Sequence, residues 1–400
     1  MATLVTDLDL MEINPHETLA ESDAAFADAR AKHWLARSPF GYSINSYDHA
    51  VGILRDKRWW SAVRFIAENQ GVTDAAFNSN RPQSILAAEG DEHTRLRRLA
   101  GAAFSPRAAD RLRPFMREVI NELVDKFVDA GRTELMADLC EPYPIPIICE
   151  LLGAPRQDWQ KFSRWASDVL RVFNGNIAED LPVIMKSSQE LEAYTLDLIA
   201  ARRNDPQADL LTDMIAATDA GDSLSSVELV MMTEAVIVGG TDTTRNQLAC
   251  SMALFAQHPD QWKLLGERPE LAPRAVEETM RMLGAVRGTG RYATEDLEYD
   301  GVLFPQGTFV FPSLRSANFN SEYFGEPERF DITRESAKPQ LTFGSGIHYC
   351  LGAALARAEL QEALVILSQR MPNLALDGEV TWKPLTFGIW GPERLPLRFG

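Results

Sequence analysis

Cysteine is scarce in this chain, with four among 400 residues, and none of the four stands near another. Cys140, Cys149, Cys250 and Cys350 form no CxxC pair, no zinc-ligand spacing and no CxxCH haem-attachment motif, so a metal-stapled or disulfide-stapled scaffold is excluded. A reducing cytosol is the simplest setting for such thiols, and a cytoplasmic location is expected. Long apolar runs are missing too. Nothing approaches the roughly 18 consecutive apolar residues a membrane span requires, and the acidic start "MATLVTDLDLMEINPHE" lacks the apolar stretch of a secretory leader. No membrane association is expected. Positive charge is in deficit: 40 Lys and Arg stand against 57 Asp and Glu, a formal net charge of −17. That argues against a nucleic-acid partner, since phosphate contacts need a basic face. Ser/Gly/Pro tracts, charge blocks and internal repeats are absent as well. A length prior of ~150 residues per domain would allow two or three domains, but no linker divides the chain, and residues 1–400 are expected to form one.

What is present is an ordinary globular balance, 45% hydrophobic and 24% charged, ample for a large core. Between Leu86 and Gly290 the pattern reads as helices of moderate length. "DEHTRLRRLAGAAF" is one, its acidic start suiting a helix N-terminus. "LPVIMKSSQELEAYTLDLIAARRNDP" is another, with an amphipathic face and a proline stop. Strand-like material is limited to "FGYSINSY", "RYATEDLEYDGVLFPQGTFVF" and the C-terminal "LPLRF". The fold class is therefore mainly α with small peripheral β-sheets.

Two helices carry unusual residues. Ser225 and Glu228 form an S-x-x-E capping box that opens a helix over Ser226 to Gln257, closed by "HPD". At ~1.5 Å per residue this helix spans nearly 50 Å. Its apolar residues are not confined to one stripe, so much of it should be buried. In its middle stands "GGTDTT", where two glycines should each cost about 1 kcal/mol relative to alanine. Either another helix packs closely against Gly239 and Gly240, or the helix opens locally beside a ligand, with Thr243 bonding the carbonyl of Gly239. In "LAPRAVEETMRML", Glu278 and Arg281 lie at i, i+3. A solvated surface pair of that spacing contributes only ~0.5 kcal/mol; a buried pair must find further partners for all five arginine donors. Spacing alone does not decide.

The stretch "LTFGSGIHYCLGAALAR" is the most informative. Alone, Cys350 could be a buried structural thiol. Its surroundings point elsewhere: Gly344 and Gly346 permit a tight turn with bared amides, and a helix begins just after the cysteine. Bared amides and a helix N-terminus stabilise a thiolate, and a thiolate axial ligand to haem iron favours O–O cleavage. Gly352 would let the helix start lie flat against a porphyrin face.

"FGSGIHYCLG" resembles the signature loop of the cytochrome P450 family, the haem-thiolate monooxygenases, with the pattern F-G-x-G-x-H-x-C-x-G matched at Phe343, Gly344, Gly346, His348, Cys350 and Gly352. "GGTDTT", "EETMR", "PERF" at Pro327 to Phe330, "HTRLRR" and the Gly290–Arg291 pair resemble further family motifs, in order, over almost the whole chain. The resemblance implies the P450 fold, a triangular helical prism holding haem b (protoporphyrin IX iron) between the long central helix and the cysteine-loop helix. It implies Cys350 as the iron ligand, shielded by Phe343, with Gly344 and Gly352 beside the haem. His93, Arg97, Arg291 and His348 match positions that pair the two haem propionates. Glu278 and Arg281, joined by Arg329, match the family's buried structural cluster. Asp242 and Thr243 match its acid–alcohol pair, which delivers protons as dioxygen is reduced by two electrons, water leaves and one oxygen atom enters the substrate. Position analogy lines the pocket with the segment before His93, Val172, Phe173, Val238, Gly239, Val286, Arg287 and the stretch from Phe387 to Trp390, including Ile389. Most are apolar, favouring a hydrophobic small molecule, while Arg287 would either meet a polar substrate end or pair with an acidic side chain. No flavin or iron–sulfur region is evident, so an acidic ferredoxin and its NAD(P)H-dependent reductase are implied, with Arg95, Arg98 and Arg357 as candidate contacts. A peroxide-driven peroxygenase and a non-catalytic haem-thiolate sensor are the competing functions; Asp242 and Thr243 argue for dioxygen chemistry.

Overall fold

Apolar residues recur at helical spacing through most of the chain, and helices carry the fold while strands stay short. The structure is a computed structural model that describes all residues except 1, 15–17, 67, 75–83, 175, 220–223 and 387. The helices that frame the site are α1 (Gly90–Gly101), α2 (Pro106–Val124), α3 (Pro144–Leu152), α4 (Trp159–Val169), α5 (Ile177–Asn204), α6 (Ser226–Gln257), α7 (Ala272–Met282) and α8 (Ala353–Arg370). Five strands form the largest sheet: β1 (Leu35–Ser38), β2 (Gly41–Ile44), β3 (Trp59–Ser61), β4 (Arg291–Ala293) and β5 (Phe309–Pro312), in the order β1-β2-β5-β4-β3. The β2–β5 pair is parallel and the others antiparallel, and the register sets Ser61 opposite Arg291.

The main core lies among the helices. Ala109, Met116, Ile120 and Leu123 form one buried stripe of α2, as a 3.6-residue period requires, and α2 packs along α8. A second core fills the sheet side, with Ile44, Trp59, Phe304 and Leu341. No described helix is long and apolar enough to cross a membrane.

Helix α6 begins at its expected capping box: the Ser225 Oγ accepts the Glu228 N–H at 3.2 Å and the Glu228 carboxylate accepts the Ser225 N–H at 2.7 Å. From Leu248 to Phe255 every residue is buried, so apolar side chains on all faces find partners. Helix α5 starts four residues before Leu181, where the helical stretch read from the sequence begins. Ile177 is fully buried against Val72, Val172 and Ile184, and its N–H donates to Gln70 Oε1 at 2.9 Å. These tertiary contacts extend the helix past Pro182.

Glu234 of α6 is half-buried near Glu192 of α5, and desolvation first, then that like charge, pushes its carboxyl up to about 8. The unfolded chain releases this proton from about pH 4.5, the folded chain only near pH 8. Stability should therefore decline as pH rises across that window. In Glu234→Gln the decline should shrink, and melting temperatures measured at pH 5 and pH 8 should lie closer together than in the parent.

Candidate active site

Helix α6 is buried along most of its length, yet Gly239 is exposed at its middle, with Ala235 and Thr243 partly uncovered on either side. The spacing i, i+4, i+8 places all three on one face. A Cβ on Gly239 would meet nothing within 4 Å, whereas one on Gly240 would lie 2.2 Å from the Ile148 Cδ1 of α3. Gly240 admits the close helix contact of the first reading, while Gly239 leaves an open surface without the local opening of the helix that the second reading expected. The helix itself stays α-helical here. Thr243 Oγ1 donates to the Gly239 carbonyl at 2.8 Å, as its spacing predicts.

Asp242 faces the other way. Its carboxylate is buried and ion-paired with Arg245, one turn along α6. Arg245 reaches across to α4, donating to Ser163 Oγ at 3.0 Å and Ser167 Oγ at 2.6 Å. Asn246 donates to the Asp242 carbonyl at 2.7 Å and accepts from Lys383 Nζ at 2.9 Å. The Asp242–Arg245 spacing in the sequence could have signalled this pair; nothing local marks the serines or Lys383.

The cysteine loop forms the second wall. Gly344 and Gly346 adopt φ of 74° and 73°, and a Cβ at 346 would sit 2.0 Å from the Leu54 carbonyl oxygen, so glycine is required there. Cys350 N–H donates to the Phe343 carbonyl at 2.9 Å, closing the loop, and α8 starts three residues on, with Gly352 as its cap residue. Cys350 is the one exposed cysteine, while the other three are core residues. Burial of its loop raises the thiol's pKa, opposed by the Gly352 N–H and the charges of Arg97 and Arg357. The Arg357 guanidinium lies 4.5 Å from the Phe343 ring centre, held by Glu277 at 2.6 and 3.1 Å and by the Tyr349 hydroxyl at 2.9 Å.

Four basic residues gather beside this loop. His93 and Arg97 come from α1, Arg291 from β4 and His348 from the turn before Cys350. The His93 and His348 rings lie 4.5 Å apart. Arg97 donates to the Tyr349 carbonyl. Arg291 donates to Gly290 O at 2.8 Å and Thr289 Oγ1 at 3.2 Å, and burial lowers its pKa to about 10 against the pull of Glu89. Burial, His348 and Arg97 push His93 down to about 4, so it is neutral near pH 7. Sequence reasoning missed Glu89, an acidic residue among four bases.

Glu278 and Arg281 form a fully buried pair. Arg281 donates to the Glu278 carboxylate at 2.8 and 2.9 Å, and to the carbonyls of Pro327, Asn318 and Arg329 at 2.7, 3.2 and 3.3 Å. All five donors are satisfied. The expectation that Arg329 joins them by its side chain needs correction. That side chain is 62% exposed and lies near Glu326 and Asp331, while Arg334 meets Glu278 at 3.0 and 3.1 Å. The turn directs the carbonyls of 327 and 329 inward, which points the Arg329 side chain out. From this cluster the chain runs to the cysteine loop: Asn318 Oδ1 accepts Leu341 N–H at 2.7 Å, and Thr342 Oγ1 donates to Met280 O at 2.9 Å.

Of the expected pocket residues, Val286 bridges to Ile389, and Gly388 lies against Phe173, bringing these onto one apolar wall. Val172 packs in the small cluster with Val72 and Ile177. Val238 packs into the main core instead of joining the open strip, which Ala235 completes. Arg287 pairs with no acidic side chain among the described contacts: it donates to the Leu385 carbonyl and lies over the Trp390 ring at 5.4 Å. Phe387 falls outside the described residues, as does much of the segment before His93. Arg95 is bound to Glu228 at the start of α6 and Arg357 to Glu277, leaving Arg98 as the exposed member of the three arginines.

The residues fit a haem on two observations. A Cβ on Gly344, Gly352 or Gly239 meets nothing within 4 Å, leaving open surface on both walls. The donor set pairs one soft sulfur, suited to iron, with bases suited to two carboxylates. Fold and site together define a haem-dependent oxygenase.

The chain belongs to the cytochrome P450 family, whose profile matches residues 62–371. It is 36% identical over 378 residues to luteothin monooxygenase of Streptomyces thioluteus, covering 94% of this chain and 92% of that protein. It is 37% identical over 374 residues to mycinamicin IV hydroxylase/epoxidase of Micromonospora griseorubida, covering 90% and 91%. The solved structure of P450BioI in complex with an acyl carrier protein ligated with hexadec-9Z-enoic acid matches with a TM-score of 0.89 at 30% identity, covering 96% of this chain and 99% of that one. The chain is a cytochrome P450 monooxygenase, of a family that carries haem iron, uses O2 and takes electrons from a redox partner.

Proposed function

We propose that this enzyme, with haem b held through Cys350, inserts one atom of O2 into an apolar small organic substrate. One substrate C–H, one O2, two electrons and two protons yield one C–OH and one water. The observation that carries this reading is the uncovered strip Ala235–Gly239–Thr243, with the buried Asp242 carboxylate beside it on the same helix. Haem, when bound, supplies the reductive cleavage of dioxygen. Thr243 presents a hydroxyl and an ordered water at the open face, and Asp242, ion-paired with Arg245, passes protons from the buried side.

An apolar substrate agrees with the wall built from Val286, Ile389 and Phe173, and with Arg287 being engaged by Leu385 and Trp390. His93, Arg97, Arg291 and His348 take the two haem carboxylates. Electrons come from a ferredoxin-type carrier and its NAD(P)H-dependent reductase in the cytoplasm, with Arg98 as the exposed contact on α1; residues 1–400 act as one haem domain.

In Thr243→Ala, NAD(P)H consumption should persist while product per NAD(P)H falls at least about tenfold, a conservative share of the effect of a positioned proton donor. Hydrogen peroxide should account for the missing electrons. A variant with the parent's product yield per electron would refute the assignment.

A further inference from the structure

A site for two carboxylates should repel a third, yet Glu89 sits inside it. Its side chain is only 8% exposed. One carboxylate oxygen accepts the Ser61 N–H at 2.6 Å and lies 3.0 Å from His348 Nε2. The residue occupies the cap position of α1, but its side chain makes no bond to its own helix. Its backbone carbonyl accepts the His93 N–H at 3.3 Å. Ser61 is the residue of β3 paired with Arg291 of β4. Glu89 thus touches all three segments that supply the basic groups: α1 with His93 and Arg97, the sheet edge at Arg291, and the turn bearing His348. Although burial works against the charge, His348, the Ser61 N–H and Arg291 together hold this carboxyl below its ordinary range.

Two arginines and two imidazoles crowded into one edge have no other acidic side chain bonded to them among the described residues. The two guanidiniums repel each other, and a surface that must spread to relieve that repulsion is not preorganised for a ligand. Ser61 could be held by any acceptor. Only an anion both holds it and offsets the cations.

We propose that Glu89 is a positioning residue of the haem site: an internal carboxylate that ties α1, β3 and the His348 turn together and keeps the basic cluster in the arrangement that receives the haem carboxylates. This rests on the reading that the cleft binds haem through Cys350. It also makes Glu89 part of the electrostatic setting of the haem, so its charge should lower the reduction potential as well as slow haem loss.

The test uses purified holoenzyme of the parent, Glu89→Gln and Glu89→Ala. Glutamine keeps the shape and an acceptor for Ser61 N–H but removes the charge. Haem transfer to excess apomyoglobin should be at least about tenfold faster in Glu89→Gln, the effect of losing one charge-assisted hydrogen bond. The midpoint potential of the retained haem should move to more positive values, since a nearby negative charge no longer opposes electron uptake. A residue that only braces the backbone would leave the potential of Glu89→Gln where it was. Should Glu89→Ala fail to fold, the glutamine variant still decides. Parent-like haem transfer and potential in Glu89→Gln overturn the proposal. A parent lacking the red-shifted ferrous–CO absorption of thiolate-ligated haem would instead overturn the reading beneath it.

Discussion

A Cys350→Ser variant, reduced and exposed to carbon monoxide, should lack the red-shifted absorption of thiolate-ligated haem, and its monooxygenase turnover should fall to background. The cause is chemical more than structural. In the protein alone, burial of the loop outweighs the Gly352 N–H and the two nearby arginines, and the thiol's pKa is raised. Coordination to iron is what removes the proton, because a metal drives a bound thiol to thiolate. A serine hydroxyl is far less acidic and not soft enough to replace the sulfur, so neither the loop amides nor the start of α8 can rescue it. The closed loop, with the residue-350 N–H bonded to the Phe343 carbonyl, requires no sulfur and should persist. Cys250 provides the control, being buried in the core, and Cys250→Ser should change stability while leaving the absorption in place. The decisive measurement is the ferrous–CO difference spectrum beside far-ultraviolet circular dichroism. A folded Cys350→Ser protein that retained the parent band would show that another group binds the iron.

Glu278→Ala should lose most of its conformational stability and retain little haem. Removal of this carboxylate leaves two guanidiniums without their acid, Arg281 at 2% exposure and Arg334 at 11%. Breaking one partner from a buried pair costs about 3 to 5 kcal/mol, against a total stability of roughly 5 to 15 kcal/mol for a folded protein. The damage should extend to the site through a specific route. Arg281 orders the carbonyls of Asn318, Pro327 and Arg329, and Asn318 in turn fixes Leu341 at the entry to the cysteine loop. Arg329→Ala, whose side chain is exposed, should stay within about 0.5 kcal/mol of the parent, as surface changes usually do. Arg334→Ala should resemble the Glu278 variant. Urea midpoints and haem content per polypeptide across the three variants distinguish these outcomes, and equal losses in Arg329→Ala and Arg334→Ala would contradict the geometry.

Periodicity and local motifs made much of this protein legible from its sequence. Helix α6 could be bounded at both ends because its capping box and its stop are encoded within a few residues of each terminus. The cysteine loop could be read because its glycines, histidine and cysteine are contiguous, and the Thr243–Gly239 bond because i to i−4 geometry is fixed by the helix. What the sequence could not disclose were choices made between distant segments. Whether Arg329 or Arg334 meets Glu278 depends on how a turn directs its carbonyls. Which of Gly239 and Gly240 is open depends on where Ile148 packs, and Arg287 turns to Leu385 and Trp390 because the C-terminal segment lies there. Glu89 reads as an ordinary acidic residue before a helix until β3 and the His348 turn converge on it. Local hydrogen bonding and periodicity are written in neighbouring residues, whereas burial and charge pairing arise only when the folded chain brings remote side chains into contact.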